Sequence, residues 1–198
     1  MHSHPIKRRK GFTLIEVLIA FIILSFGLLG AVALQAKAKQ ASFDSMQRAA
    51  AVALGNDIIQ RIRANDTIAS IKLYGSYNDE DEDEDRKPIK SDSKLSISSA
   101  CFNSSCGSKD IVGLDVVQWK RAISARNNTG SLDDATICIK STSEDSTGGK
   151  GFNIEVIISW QGRQEFTANT DTGKVSCGDD PNNKRRLVVL TSYIYVRS

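Results

Sequence analysis

Histidine is nearly absent from this chain of 198 residues, and its absence excludes several kinds of enzyme. Both histidines, His2 and His4, stand in the first few residues, and residues 12–198 contain none. Without an imidazole there can be no His-based catalytic triad, no histidine general base and few of the known catalytic zinc sites. The sequence also shows no paired catalytic carboxylates and no activated nucleophile. We therefore expect no enzymatic activity and no cofactor.

An excess of charge of one sign is also lacking once the N-terminal segment is set aside. Residues 1–11 hold four of the 26 basic residues and no acidic residue, which leaves 22 basic against 23 acidic side chains in the remainder. Nucleic acid binding needs a basic face rather than a neutral mixture of charges. We therefore expect no nucleic acid partner.

Long apolar runs are limited to one, from Phe12 to Leu34, and this run follows Lys7-Arg8-Arg9-Lys10 and Gly11. A helix of 23 residues is long enough to cross a hydrocarbon core of about 30 Å. Basic residues stay on the cytoplasmic side, so the pattern predicts a single span with an exported C-terminal part. A secretory signal is cleaved at small residues after its apolar core, whereas Gly11 precedes the core. Cleavage at Gly11 would remove the basic residues and keep the span.

Glu16 is the only charged residue within this apolar run. A carboxylate near the bilayer centre costs roughly 2.5 to 3.5 kcal/mol on insertion scales, and less near the end of a span. Such a charge needs a partner. After cleavage at Gly11, the nearest group of the right kind is the new α-amino group of Phe12, from the same chain or from a neighbouring one.

Residues 10–20, Lys-Gly-Phe-Thr-Leu-Ile-Glu-Val-Leu-Ile-Ala, resemble the leader junction of type IV pilins and of type II secretion pseudopilins. The resemblance implies that prepilin peptidase cleaves after Gly11 and methylates Phe12, and that Glu16 helps the subunit to dock into a fibre. The alternative is an ordinary signal anchor that carries an isolated Glu.

Ala33 stands where many major pilins have a helix-bending proline, and this difference favours a minor pilin. Residues 58–65, 156–161 and 185–191, together with Trp119, are also similar to segments of minor pilins. The resemblance implies a structural subunit at or near the pilus tip. Its implied partners are other minor and major pilins, which it would contact through the N-terminal helix, and the assembly platform of the inner membrane. The alternatives are a minor pseudopilin of type II secretion and a tip adhesin that binds through variable loops at 75–110.

The segment 35–65 continues the helix, for a total of about 50 residues. It is free of proline, and apolar residues recur in it every three or four positions. The predicted stripe consists of Phe43, Met46, Ala50, Leu54, Ile58 and Ile62. We expect this stripe to pack under a sheet.

Residues 66–134 are predicted as a connecting region of loops and one short helix. Seven consecutive acidic residues, from Asp79 to Asp85, indicate an exposed, solvated loop, with calcium binding as a weaker alternative because no EF-hand glycine is present. Asp115 precedes an amphipathic pattern, which predicts a helix over about 115–126 that is anchored in the core by Trp119.

Residues 135–198 show alternating apolar patterns that predict an antiparallel sheet of about four strands. The predicted strands are Thr136–Lys140, Phe152–Trp160, Glu165–Ala168 and Leu187–Val196. The whole chain is thus predicted to be an α+β protein of the type IV pilin-like fold. In that fold a long membrane-spanning helix packs on a C-terminal antiparallel sheet.

All four cysteines lie in the part of the chain that is predicted to be exported. An even number in an oxidising compartment indicates two disulfides. We favour Cys101 with Cys106, which closes a short local loop, and Cys138 with Cys177, which ties an early strand to the segment before the last strand. A zinc site is the alternative, but the cysteine spacing fits it poorly. We predict no metal site.

Overall fold

The computed structural model describes residues 11–78, 87–91, 105–129, 131–144, 149–165, 175–178 and 183–196. Its elements in chain order are α1 (Leu14–Ala64), α2 (Ile68–Tyr74), β1 (Ile89–Lys90), α3 (Ser108–Asn128), β2 (Asp133–Glu144), β3 (Gly151–Gln161) and β4 (Arg185–Tyr195). A long N-terminal apolar helix followed by a four-stranded antiparallel sheet confirms the predicted α+β class. The chain divides into two compact units, Met1–Phe43 and Asp44–Ser198.

The first unit contains the apolar part of α1. Every residue from 11 to 39 is exposed, including large side chains such as Phe21, Phe26 and Leu29. Among the described residues, α1 is the one helix that is long and apolar enough to cross a membrane. So much exposed apolar surface is unstable in water, so this segment needs lipid or other apolar helices around it.

The second unit contains a sheet with the strand order β1-β2-β3-β4, in which all neighbours are antiparallel. Strands β2 and β4 begin earlier than predicted, and β1 was not predicted. The strand predicted at Glu165–Ala168 is wrong at Glu165, which lies outside any strand, and residues 166–168 lie outside the described part. Strand β3 ends at Gln161, and the backbone N–H of Gly162 donates to the carbonyl of Lys184, which extends the pairing of β3 with β4 by one hydrogen bond.

The core of this unit lies between the sheet and the second half of α1. Strand β3 supplies its centre, with Phe152, Ile154, Val156, Ile158 and Trp160 buried on one side, largely as the alternating pattern predicted. The buried residues of α1 are Gln47, Ala51, Leu54, Gly55, Ile58, Ile59 and Ile62. The prediction was wrong for Met46, which is 52% exposed. Leu54, Ile58 and Ile62 of the predicted stripe are buried as predicted, and Phe43 and Ala50 are half-buried. The departure is local, because Gln47 is buried where Met46 was expected.

Helix α2 was not predicted, although its start has a clear signal. The Oγ1 of Thr67 accepts a hydrogen bond from the backbone N–H of Ser70 at 3.2 Å, which is a normal N-cap. The helix buries Ser70, Ile71 and Tyr74. Seven residues are too few for a reliable periodic pattern, and tertiary burial of Ile71 and Tyr74 stabilises the helix instead.

Helix α3 begins at Ser108 rather than near Asp115, so the predicted start is corrected. The backbone N–H of Gly107 donates to the Oδ2 of Asp110 at 3.0 Å, which satisfies the true N-terminus. Asp115 is therefore no cap but a buried residue in the middle of the helix. Trp119 is 1% exposed and lies in the core, as predicted.

Gly75 ends α2 with an ordinary φ of −69°, so its role is to leave space rather than to allow a special conformation. An added Cβ would overlap the side chain of Ser141 on β2 and lie 2.8 Å from its backbone nitrogen. We expect Gly75→Ala to lower the free energy of unfolding by about 1 to 3 kcal/mol, because the helix end must move off the strand. Urea denaturation monitored by tryptophan fluorescence measures the change.

Gly113 provides the matched control, because it lies inside α3 and a Cβ there would meet nothing within 4 Å. Gly113→Ala should raise the free energy of unfolding by roughly 0.5 to 1 kcal/mol through helix propensity. Equal effects of the two substitutions would show that the space at Gly75 is not limiting.

Candidate functional site: the Gly11 to Glu16 junction and the helix it begins

The junction that carries the predicted cleavage site lies just outside a helix. Gly11, Phe12 and Thr13 precede α1, and the carbonyl of Thr13 accepts the first hydrogen bonds, from the backbone N–H of Glu16 at 3.1 Å and of Val17 at 3.4 Å. Gly11 and Phe12 are both exposed. The peptide bond between them is therefore not part of the helical hydrogen-bond ladder, which leaves it accessible to a protease.

Glu16 lies in the first turn of α1. The first backbone N–H groups of a helix lack intrahelical acceptors, and the helix dipole makes this end partly positive. A carboxylate is favoured there more than elsewhere in an apolar helix. The position of Glu16 thus reduces the cost of a charge that the apolar sequence around it would otherwise make high.

Glu16 shares one face of α1 with apolar residues. A shallow depression of about 480 Å³ on this face is lined by Phe12, Glu16, Val17, Ala20, Phe21 and Leu24. These positions follow each other at spacings of one to four residues along one side of the helix. The face is an apolar seam with one carboxylate at its N-terminal end, which suits packing against another apolar helix that offers a cation at that level.

Gly27 and Gly30 continue the segment, and a Cβ at either would meet nothing within 4 Å. Small residues in apolar helices allow neighbouring helices to approach closely. The Oγ of Ser25 donates to the carbonyl of Phe21 at 2.7 Å, so this hydroxyl is satisfied within its own helix. Glu16 is the only charged side chain of the run 12–34, so it is the residue of this run that needs an ionic partner from outside the helix.

The disulfide Cys138–Cys177 is formed as predicted, with Cα atoms 5.7 Å apart. It holds the segment 175–178 against the face of the sheet that is turned away from α1, where Cys138, Cys177 and Ile157 form a small buried cluster with Val175. The Oγ of Ser159 donates to the carbonyl of Cys177 at 2.9 Å. Cys106 is also disulfide-bonded, and its predicted partner Cys101 lies outside the described residues.

A partly buried polar network joins the C-terminal end of α1 to α2 and α3, and the sequence did not predict it. The Nη1 of Arg61 lies 2.9 Å from the Oδ1 of Asp115, and the hydroxyl of Tyr74 donates to its Oδ2 at 2.5 Å. Arg61 also binds Asp57 through its Nε at 2.9 Å. The indole N–H of Trp119 donates to the Oδ2 of Asp57 at 3.3 Å. Three helices therefore meet at two carboxylates.

Burial, together with the hydrogen bond to Asp115, raises the pKa of Tyr74 well above its ordinary value of 10. Above pH 10 the unfolded state loses the phenolic proton of Tyr74, while the folded state still keeps it. The contribution of this hydroxyl to stability is therefore complete below pH 10 and falls as the pH rises above 10. We expect the free energy of unfolding to decrease above about pH 10. Tyr74→Phe should flatten that decrease, measured by urea denaturation at several pH values between 8 and 11. An unchanged slope in the variant would assign the alkaline loss to other groups.

Several predicted features lie outside the described residues. They include the acidic segment 79–85 and most of the loops at 75–110 that were considered as an adhesive surface, of which 75–78, 87–91 and 105–110 are described. The adhesive surface at 75–110 therefore stays a prediction from the sequence.

Residues 6–32 match the family described as the prokaryotic N-terminal methylation motif. The match includes Gly11, Phe12 and Glu16 at the junction described above. No curated protein and no solved structure matches the chain. The motif supports a protein of the type IV pilin or pseudopilin type, a class that is structural rather than catalytic. It implies processing by prepilin peptidase and association with pilins. Together with the long apolar helix, it indicates a membrane-anchored protein.

Proposed function

We propose that this chain is a minor pilin of type IV pili, a structural subunit that is matured by prepilin peptidase and built into or under the pilus tip. The observation that carries the proposal is the methylation motif at the start of an exposed apolar run, residues 12–34, whose only charged residue is Glu16. Cleavage after Gly11 and methylation of Phe12 would leave a cationic N-terminus on the same helix face as that carboxylate.

The N-terminus would lie in the cytoplasm before cleavage and the unit Asp44–Ser198 in the periplasm. This topology is favoured by the basic residues before Gly11, because basic residues stay on the cytoplasmic side. It is also favoured by the disulfide Cys138–Cys177, because disulfides form in oxidising compartments such as the periplasm. Packing of residues 12–34 among other pilin helices would then keep their exposed apolar side chains out of water once the subunit has left the bilayer for the pilus.

Within the pilin class, Ala33 favours a minor pilin of the PilV type, because many major pilins have a proline at this position. The PilV type is also favoured by the similarity of residues 58–65, 156–161 and 185–191 and of Trp119. The acidic insert at 79–85 does not belong to the PilV pattern. The similarity of residues 58–65, 156–161 and 185–191 is less specific than the N-terminal motif. The assignment to the PilV type therefore depends on the assembly phenotype.

Deletion of the encoding gene tests the proposal when pili and secretion are measured in the same strain. We expect electron microscopy to show few or no surface pili, and we expect secreted enzymes to remain at normal levels. The reverse result, with normal pili and blocked secretion, would assign the protein to the pseudopilus of type II secretion. Complementation with the intact gene is the control for effects on neighbouring genes.

A strain with normal pili and normal secretion would contradict both assembly roles. It would direct attention to a tip adhesin, the third candidate, which would bind through the loops at 75–110. Loss of adherence with normal pili would then be the expected phenotype.

A further inference from the structure

The face of the sheet that is turned away from α1 carries three rows of side chains beyond the disulfide cluster. The strand register places Lys140, Glu155 and Thr191 in one row and Thr142, Asn153 and Tyr193 in the next. A third row consists of Glu144, Gly151 and Tyr195. The first two rows line a depression of about 430 Å³ that is open to solvent.

We propose that this depression, formed by Lys140, Thr142, Asn153, Glu155, Thr191 and Tyr193, binds a neutral carbohydrate. The volume is within the range of small-ligand sites, about 300 to 1,000 Å³. Its open shape suits one or two terminal sugar rings of a larger glycan better than a small metabolite, which needs an enclosed pocket.

The charges of the depression argue for an uncharged ligand. Lys140 and Glu155 stand directly opposite each other on β2 and β3, so the two signs balance within one row. Glu144 accepts a hydrogen bond from the Nδ2 of Asn153 at 3.2 Å, which brings a second carboxylate beside the site. An anionic ligand would meet these carboxylates, and a cation would meet the ammonium group.

The hydrogen-bonding groups match sugar hydroxyls, each of which both donates and accepts. Asn153 offers an amide with donors and an acceptor, Thr142 and Thr191 offer hydroxyls, and Glu155 is an acceptor. Thr142, Asn153 and Thr191 are exposed. A flat set of mixed donors and acceptors on a rigid sheet is better suited to a ring of hydroxyls than to an apolar segment of another protein.

The aromatic rim supplies the apolar contact that sugars also need. Tyr193 is 45% exposed and Tyr195 is 52% exposed on the same side of β4. A tyrosine ring is a rigid platform with an apolar face and a polar tip, on which the C–H face of a sugar ring can stack.

This site is separate from the helix seam proposed for assembly. The seam consists of residues between Phe12 and Leu24, whereas the depression is formed by strand residues on the face of the sheet turned away from residues 44–64, so packing through the seam does not use the residues of the depression. The inference therefore does not rest on the proposed function, and a pilus with normal assembly could carry it.

A glycan array probed with the full-length protein in lipid nanodiscs tests the proposal. The array should hold neutral, sialylated and sulfated glycans. We expect binding to neutral glycans, with Asn153→Ala and Tyr193→Ala each weakening the affinity for the best of them at least tenfold. Tyr193→Phe should stay within about threefold, since the stacking face is kept.

Asn56→Ala is the matched control, because Asn56 is an exposed asparagine on α1, and it should bind like the unaltered protein. Thermal unfolding of each variant verifies that the fold is kept. Three results would overturn the proposal: no binding above background, binding confined to sialylated or sulfated glycans, and binding that Asn153→Ala and Tyr193→Ala leave unchanged. Glu16→Ala in the purified protein should leave glycan binding intact, which separates this test from that of assembly.

Discussion

Glu16→Ala is expected to lower the amount of this subunit in sheared pili by a factor of about 10 to 100, while the unit Asp44–Ser198 stays folded. The expected factor corresponds to about 1.4 to 2.8 kcal/mol at 1.4 kcal/mol per tenfold. This is of the order of the cost of placing an isolated carboxylate in the bilayer, which the pairing with a neighbouring α-amino group would offset.

The physical reason lies in the seam formed by Phe12, Glu16, Val17, Ala20, Phe21 and Leu24. Apolar helices gain little from each other in lipid, because lipid chains are as apolar as their side chains. An ion pair between Glu16 and the new N-terminus of a neighbour would therefore contribute both affinity and axial register. The alanine variant keeps the apolar seam and loses the pair.

Two further substitutions separate charge from polarity and from general damage to the helix. Glu16→Gln removes the charge but keeps a hydrogen-bonding group, and we expect it to behave close to Glu16→Ala. Ser25→Ala is the matched control, since the Ser25 hydroxyl is satisfied by its own helix. Immunoblots of sheared pili and of membranes measure incorporation and total protein. Normal incorporation of Glu16→Ala would refute the role of the carboxylate in assembly.

The parts of the molecule that sequence predicted well are those encoded by local patterns. The apolar run, the basic residues before Gly11 and the alternation in β3 each extend over enough neighbouring positions to identify a helix or a strand. The disulfide Cys138–Cys177 was favoured among three possible arrangements because it ties an early strand to the segment before the last strand. Except for this disulfide, whose cysteines are 39 residues apart in sequence, none of these features depends on a distant contact.

The predictions failed where tertiary contacts decide the outcome. Asp115 has the residue type and position of an N-cap, and it was interpreted as one. Its actual partners, Arg61 and Tyr74, are 54 and 41 residues away in sequence, and no local pattern links them. Met46 has the right character for the core, but the sheet contacts the face that carries Gln47. On that same face Gly55 leaves space for the side chain of Leu190, which an added Cβ would overlap.

Arg61→Met is expected to lower the free energy of unfolding by about 2 to 3 kcal/mol. The side chain of Asp115 is only 9% exposed, so the variant leaves a buried carboxylate without its cation. Removing one partner of a fully buried pair costs about 3 to 5 kcal/mol. Because the side chain of Arg61 is 34% exposed, solvent screens part of the interaction. We therefore expect a loss of stability smaller than that of a fully buried pair.

Asp115→Asn should lower the free energy of unfolding less than Arg61→Met does, because Arg61 keeps other hydrogen-bond partners when the carboxylate of Asp115 is removed. In Asp115→Asn, Arg61 keeps the carboxylate of Asp57 at 2.9 Å and the side-chain oxygen of Gln118 at 2.6 Å. The new amide has one acceptor oxygen for the two donors that face Asp115, so it keeps the hydrogen bond from either Arg61 or the hydroxyl of Tyr74 and loses the other. We expect a loss of about 1 kcal/mol, the usual value for one weakened hydrogen bond.

The double variant Arg61→Met with Asp115→Asn separates the cost of the unpaired charge from the loss of packing. It contains no buried carboxylate at position 115 and keeps an acceptor for Tyr74, so its stability should exceed that of Arg61→Met alone by about 1 kcal/mol or more. Urea denaturation of the full-length protein in mild detergent gives all four values, with Trp119 and Trp160 as buried fluorescent probes. If the double variant were less stable than Arg61→Met, the pair would act through shape rather than charge. The meeting point of the three helices would then depend on packing around Trp119.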